Sequence, residues 1–135
     1  MAGILRRAVY DRDYTASEAV LLAKIDWIIS NQTVVRPDVV VLCGDAPERH
    51  IEAAPAIVAE VLSDSSQQRD REAKFELHQE SGVGFYLILD PDQSPLQAFE
   101  LGVDRSYQPM KTAATFELVL CDRCKLEMNT TKLFA

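Results

Sequence analysis

A single glutamate interrupts the apolar run Ala56-Ile57-Val58-Ala59-Glu60-Val61-Leu62. A stretch of this length and character reads as a strand buried on both faces of a sheet. An ionised carboxylate in such a place costs several kcal/mol unless something pairs it. The strand expected before it opens on a second acid, in Arg36-Pro37-Asp38 followed by Val39-Val40-Val41-Leu42. Two acids entering one sheet core from neighbouring strands call for a shared cation. A hard divalent metal with oxygen ligands, Mg2+ or Mn2+, meets that need.

The rest of the chain sets bounds on this reading. Its 135 residues suit one domain with a single core, and 47% hydrophobic content excludes general disorder. No apolar stretch reaches membrane-spanning length, and Met1 to Arg7 lacks the long apolar segment of a signal peptide, so a cytoplasmic protein with no membrane partner is expected. Three cysteines, an odd number, favour reduced thiols over a disulfide framework. A net charge of −7 counts against a broad phosphate-binding surface. Any nucleic-acid contact must then be focal and metal-assisted, with Arg36, Arg69, Arg71 and Lys74 as the local bases.

The patterning gives an order of elements. Tyr14 to Ser30 is expected as a helix, with Thr15 and Glu18 as a capping box and Ala19, Val20, Ala23 and Trp27 at helical spacing. Val34 to Cys43 reads as a strand that is an edge or bulges at Pro37. Gly44 to Pro55 is a polar loop before the central strand Ala56 to Leu62. A helix follows, roughly Gln67 to Glu80, with Gly82 as its stop signal. Strands are expected at Val83 to Leu89, Leu96 to Leu101, Ser106 to Met110 and Phe116 to Glu127, and a turn at Thr130 to Phe134. The sum is a single α/β domain of the α+β kind, a central mixed sheet flanked by helices.

Lys74 gains interest from its position on the second helix. Glu60 stands roughly 10 Å before the end of its strand. Lys74 stands roughly 12 Å along the helix that folds back over it. The two distances nearly cancel, so Lys74 can hang over Glu60. The plainer alternative is a surface pair with Asp70 at i, i+4. Two carboxylates and a lysine suit metal-assisted phosphodiester hydrolysis, in which the metal activates a water and the lysine positions it.

Pro37-Asp38, Glu60-Val61-Leu62-Ser63, Asp70, Lys74, Gly82-Val83 and Leu89-Asp90-Pro91 together resemble a restriction-endonuclease family of uncharacterised function within the PD-(D/E)XK nuclease superfamily. The resemblance spans roughly Glu18 to Phe134. It implies a restriction-endonuclease-like core and a magnesium-dependent endodeoxyribonuclease. It implies Asp38 and Glu60 as metal ligands, with the Val61 carbonyl as a further one. The lysine that the superfamily motif carries two residues after the second acid is replaced by Leu62, and Lys74 fits the displaced catalytic lysine. Glu18 matches an accessory acid from the first helix, or serves only its capping box. Ser63 reads as a helix-entry or supporting residue, and Asp70 as a candidate accessory acid.

Other motifs carry less. Cys121-Asp122-Arg123-Cys124 is a lone C-x-x-C, and Cys43, His50 and His78 do not complete a zinc spacing. His78, at i+4 from Lys74, could line the cleft but reads more simply as a packing residue. Trp27 reads as a core anchor. The expected partner is DNA, with a homodimer supplying contact surface and no organic cofactor implied. The rival reading is an inactive nuclease-fold interaction or DNA-binding module, favoured by the acidic charge.

Overall fold

In the computed structural model the described residues are 19–62, 68–90, 94–113, 115–121 and 124–129. Among them are eleven strands and one helix. β1 is Ala19–Ala23, β2 Asp26–Ser30, β3 Thr33–Val35, β4 Val39–Cys43, β5 His50–Ile51 and β6 Ile57–Val61. Then come α1 Gln68–Glu80, β7 Phe85–Asp90, β8 Ser94–Leu101, β9 Tyr107–Pro109, β10 Thr115–Leu120 and β11 Cys124–Asn129. The main sheet runs β1-β4-β6-β7-β8-β9. Only β6 and β7 pair in parallel within it, because α1 carries the chain back between them. This is the expected mixed sheet of an α+β domain.

The expected first helix is not formed over its described part. Residues 19–23 and 26–30 are strands. Alanine and leucine favour helix locally, but β4 needs a hydrogen-bonding neighbour on its free side. β1 supplies it, in register from Ala19 opposite Cys43 to Ala23 opposite Val39. Once extended, the same residues feed both cores. Leu21 faces one, while Val20 and Leu22 face the other. Asn31 ends no helix; it lies in the turn joining β2 to β3. The Tyr14–Ser17 start of the expected helix, Glu18, Ser63 and the turn at Thr130 to Phe134 lie outside the described residues.

Pro37 falls between two strands rather than within one. β3 belongs to a small β3-β2-β5 sheet and β4 to the interior of the main sheet. The proline thus removes no ladder donor from β4. The loop expected from Gly44 to Pro55 contains β5, which pairs in parallel with β2 through Ile51 and Trp27.

β6 meets the expectation of a strand buried on both faces. Ile57, Val58 and Ala59 are fully buried. Ile57 and Ala59 join Val39, Val41, Phe85, Leu87 and Ala98 in a core on one face. Val58 joins Val40, Leu42, Tyr86, Tyr107 and Trp27 on the other. The first core is covered by a β10-β11 hairpin, in place of the single strand expected from Phe116 to Glu127. A fully extended segment of that length could not place Leu118, Leu120, Leu126 and Met128 over one patch. Turning back after Cys121 (φ 56°) does so, with Leu118 opposite Leu126.

The second core is covered by α1 and the small sheet. α1 is strongly polar and attaches mainly through Phe75 and His78. Phe75 meets Phe99 edge-on at 5.0 Å and Tyr107 at 5.2 Å. His78 stacks on Trp27 at 5.9 Å and lies 4.8 Å from Tyr86. Trp27 and His78 are thus the packing residues that their sequence positions suggest. Gly82, in the left-handed region at φ 86°, ends the helix, and the Val83 N–H returns to the His78 carbonyl at 3.1 Å.

The odd cysteine count gives way to a covalent link. Cys43, at the end of β4, is disulfide-bonded to Cys121, at the end of β10, with Cα atoms 5.5 Å apart. The bond fastens the hairpin to the sheet it covers and takes Cys121 out of any zinc site. It also removes the argument for a reducing compartment from cysteine number. Among the described residues no helix is long and apolar enough to cross a membrane.

This packing has measurable consequences for stability. The disulfide closes a loop of 78 residues, so its removal should cost about 2–4 kcal/mol. Urea denaturation with and without reductant, and of a Cys43→Ser variant, measures this; midpoints indifferent to reductant would refute the link. His78 is held neutral, its pKa lowered to about 4 by burial and by the Lys74 charge. The unfolded chain protonates near 6.5, so native stability should be lost as pH falls from about 6.5 through about 4, on the order of 3 kcal/mol. A His78→Phe variant should show a flatter acid limb than the wild type in pH-dependent denaturation, and an identical limb would contradict the assignment.

Candidate active site at the carboxylate row

β4 and β6 run antiparallel with Val39 opposite Ala59. One step further along this register puts Asp38 opposite Glu60. Directly opposed residues of neighbouring strands point to the same face with Cβ atoms about 5 Å apart. The β1–β4 register, Ala23 opposite Val39, likewise puts Lys24 opposite Asp38, and the Lys24 N–H bonds the Asp38 carbonyl at 3.2 Å. On the other side Glu60 lies beside Ile88, and Ile88 beside Gln97. One row across five strands therefore reads Lys24, Asp38, Glu60, Ile88, Gln97. It faces α1, as do Val40 and Val58 one step below it.

Each acid has a distinct environment. Asp38 accepts the Val61 N–H on Oδ2 at 2.9 Å, and the Lys24 ammonium is paired with its Oδ1. Burial pushes its carboxyl up, but the Lys24 bond and charge, the Val61 N–H and a hydrogen bond from Glu60 outweigh this and hold the pKa below the usual range. Glu60 is 9% exposed. Its pKa is raised to about 7, first by burial; the Lys74 charge opposes the rise, and the Asp38 charge and hydrogen bond add to it. Near neutral pH in the metal-free protein, Asp38 is the anion and Glu60 holds a proton for part of the time. Two facing carboxyls in a dry sheet cannot both ionise freely.

Lys74 makes the i, i+4 surface pair, its plainer alternative. Its nearest carboxylate is Asp70, at 3.9 Å across one helical turn, and half of its side chain is exposed. Its charge nonetheless reaches Glu60 and favours the ionised form. Beside the row, between α1 and β7–β8, opens a cavity of about 420 Å3 lined by Leu62, Arg71, Phe75, Ile88, Asp90 and Phe99, among others. A second, of about 470 Å3, lies at the far end of β4 around Cys43, His50 and Glu52, away from the acids.

Among the described residues no cluster of three or more histidines, cysteines and acids forms a metal cage. The residues that would hold a cation are two facing carboxylates, Asp38 and Glu60. This suits magnesium, which keeps several waters and takes one or two carboxylates. It does not suit zinc.

The structure brings together Asp38, Glu60 and Val61, with Lys74 and Asp70 on the helix above. His78 is buried among rings and does not line the cleft. Two residues near the acids are not found by reading the sequence. Lys24 is hidden inside the expected first helix. Tyr86, whose hydroxyl is held protonated by burial and then by the charges of Glu60, Asp38 and Asp70, is placed only by the parallel register Val58–Tyr86.

No curated protein matches the chain. A crystal structure from Anabaena variabilis, described as "a putative nuclease belonging to DUF820", superposes with a TM-score of 0.58 at 15% identity. The match covers 73% of this chain and 57% of that one, so this chain spans little more than half of that protein, and at this identity it shows the fold alone. The family comparison reaches further, for residues 5–129 match one family profile, and this chain belongs to the Uma2 family, described as "Putative restriction endonuclease".

Proposed function

We propose that the protein is a metal-dependent endonuclease that hydrolyses DNA phosphodiester bonds, built on a PD-(D/E)XK type of site. The observation that carries this reading is the register that sets Asp38 opposite Glu60 across β4 and β6, with Glu60 buried and Asp38 half-buried. A sheet interior gains nothing structurally from two facing acids, whereas a divalent cation needs them.

Asp38, Glu60 and the Val61 carbonyl would hold Mg2+ or Mn2+. Such an ion supplies Lewis acidity toward a phosphoryl oxygen and lowers the pKa of a bound water. The chain's own residues do the rest. Val61 N–H fixes the Asp38 carboxylate through Oδ2. Lys74, whose charge favours the ionised form of Glu60, would orient the attacking water and offset charge gathering on the phosphate. Asp70 steadies Lys74 from the helix. The cavity beside Ile88 gives the substrate strand a place next to the acids. Glu18 and Ser63 remain candidate accessory residues by position in the sequence. The proposal includes a homodimer, with a second copy supplying the DNA-contact surface; sedimentation should then give a species of twice 15.1 kDa.

The net charge of −7 favours a second reading, an inactive nuclease-fold module that binds a partner. Incubation with plasmid DNA separates the two. Cleavage should require manganese or magnesium, stop with chelator, vanish in Glu60→Gln and fall about 10²- to 10³-fold in Lys74→Met. Absent cleavage, together with no metal binding, would leave only the second reading, and cleavage that persists with chelator would overturn the metal-dependent site.

The thermal stability of Glu60→Gln gives an independent check. The folded pKa of about 7 lies above the unfolded value of 4.5. The native state therefore holds the proton more tightly, and stability is lost as pH rises from about 4.5 through 7, on the order of 3 kcal/mol. Without metal, Glu60→Gln should match the wild type below pH 4.5 and be the more stable protein above pH 7. Magnesium should raise the melting temperature of the wild type and not of the variant. A variant strongly destabilised at about pH 8, beside a wild type indifferent to magnesium, would mean that Glu60 is simply a structural ion-pair partner.

A further inference from the structure

Beyond the expected ligands and lysine, and resting on the proposed metal site, one more residue has a role in the row. We propose that Lys24 is the resident cation of the carboxylate row: its ammonium holds the metal's place on Asp38 in the metal-free protein and leaves when a divalent ion binds.

The two carboxylate oxygens of Asp38 have different partners. Oδ2 is held by the Val61 N–H at 2.9 Å. Oδ1 is the oxygen left to meet a cation, and it is the one that Lys24 occupies. Lysine and metal therefore compete for the same atom. The backbone places Lys24 for this role. It extends the β1–β4 register by one residue, and its N–H is bonded to the Asp38 carbonyl at 3.2 Å. Its φ of 55° is left-handed, a conformation that a lysine takes only at a cost. The chain thus keeps a strained residue where an ammonium can reach the acids.

Exit is easy as well. The Lys24 side chain is 65% exposed, against 23% for Asp38. Its flexible four-carbon stem can swing into water without opening a cavity. Lys74 is not equivalent. Its nearest carboxylate is Asp70, and it approaches from α1 rather than from within the row. With Lys24 in place, the half-buried Asp38 charge is matched when no metal is present, so the empty site is not a source of unpaired buried charge. The cost is weaker metal binding than the two acids alone would give.

Two measurements test this. By calorimetry, Lys24→Met should bind Mn2+ about fivefold more tightly than the wild type, the scale of one partly exposed ion pair. Lys24→Arg, which keeps the pair, should bind close to the wild type, and Lys125→Met, which removes a charge from the hairpin on the opposite face, should change nothing. Reductive methylation read by mass spectrometry follows the ammonium itself. Lys24 should be labelled slowly in the metal-free wild type and several-fold faster when Mn2+ is added, with Lys125 unchanged. In Asp38→Asn it should be labelled fast throughout. Calorimetric binding of Mn2+ with no change in Lys24 labelling would overturn the displacement while leaving the metal site intact. No Mn2+ heat in either the wild type or Lys24→Met would remove the metal site itself and this proposal with it.

Discussion

Everything in the site depends on the antiparallel register between β4 and β6. With Val39 opposite Ala59, Asp38 and Glu60 become neighbours on one face of the sheet. A slip of one residue would turn one acid toward the hairpin core, among Leu118, Leu120 and Met128, where nothing could solvate it. The register is secured by apolar residues on both faces of the two strands. The same burial that fixes the geometry raises the pKa of Glu60. Precision and electrostatic cost have one origin.

The surroundings of the acids divide the electrostatic work. Asp38 is kept charged by a peptide N–H and by Lys24. Glu60, deeper in the sheet, is left to share a proton with it. Tyr86 and His78 lie beneath as neutral groups, since burial holds the tyrosine protonated and the histidine unprotonated. They bring polar atoms near the site without adding charge. Over the range where Glu60 favours low pH for stability, His78 favours high pH, so the two opposing slopes partly mask each other.

The covering layers differ in kind. The hairpin face is sealed by aliphatic side chains and tied by the Cys43–Cys121 bond. The helix face is looser and more polar. α1 is anchored by Phe75 and His78, and Gln68, Arg71, Glu72 and Glu76 line the cavity beside the row. A polar helix on few anchors can present charged groups to a substrate while the rigid hairpin side keeps the strands in line.

How much of this is legible in the sequence depends on the range of the interaction. The seven-residue run around Glu60 announces a doubly buried strand because it is short, continuously apolar and rich in Ile and Val. Gly82 marks the end of α1, because backbone chemistry at that residue is local. Ala19 to Ser30 is not legible. Its composition favours a helix, and only the demand of β4 for a partner makes it extended; Lys24 is lost with it. The hairpin at Cys121 and the Cys43–Cys121 bond are equally hidden, since they join segments that meet only after the sheet has formed. Local chemistry thus marked Asp38 and Glu60 as two acids entering one sheet core, with a helix after the second. Tertiary pairing decided that Lys24 stands beside them, because hydrogen-bond register is a property of two strands and is written in neither one alone.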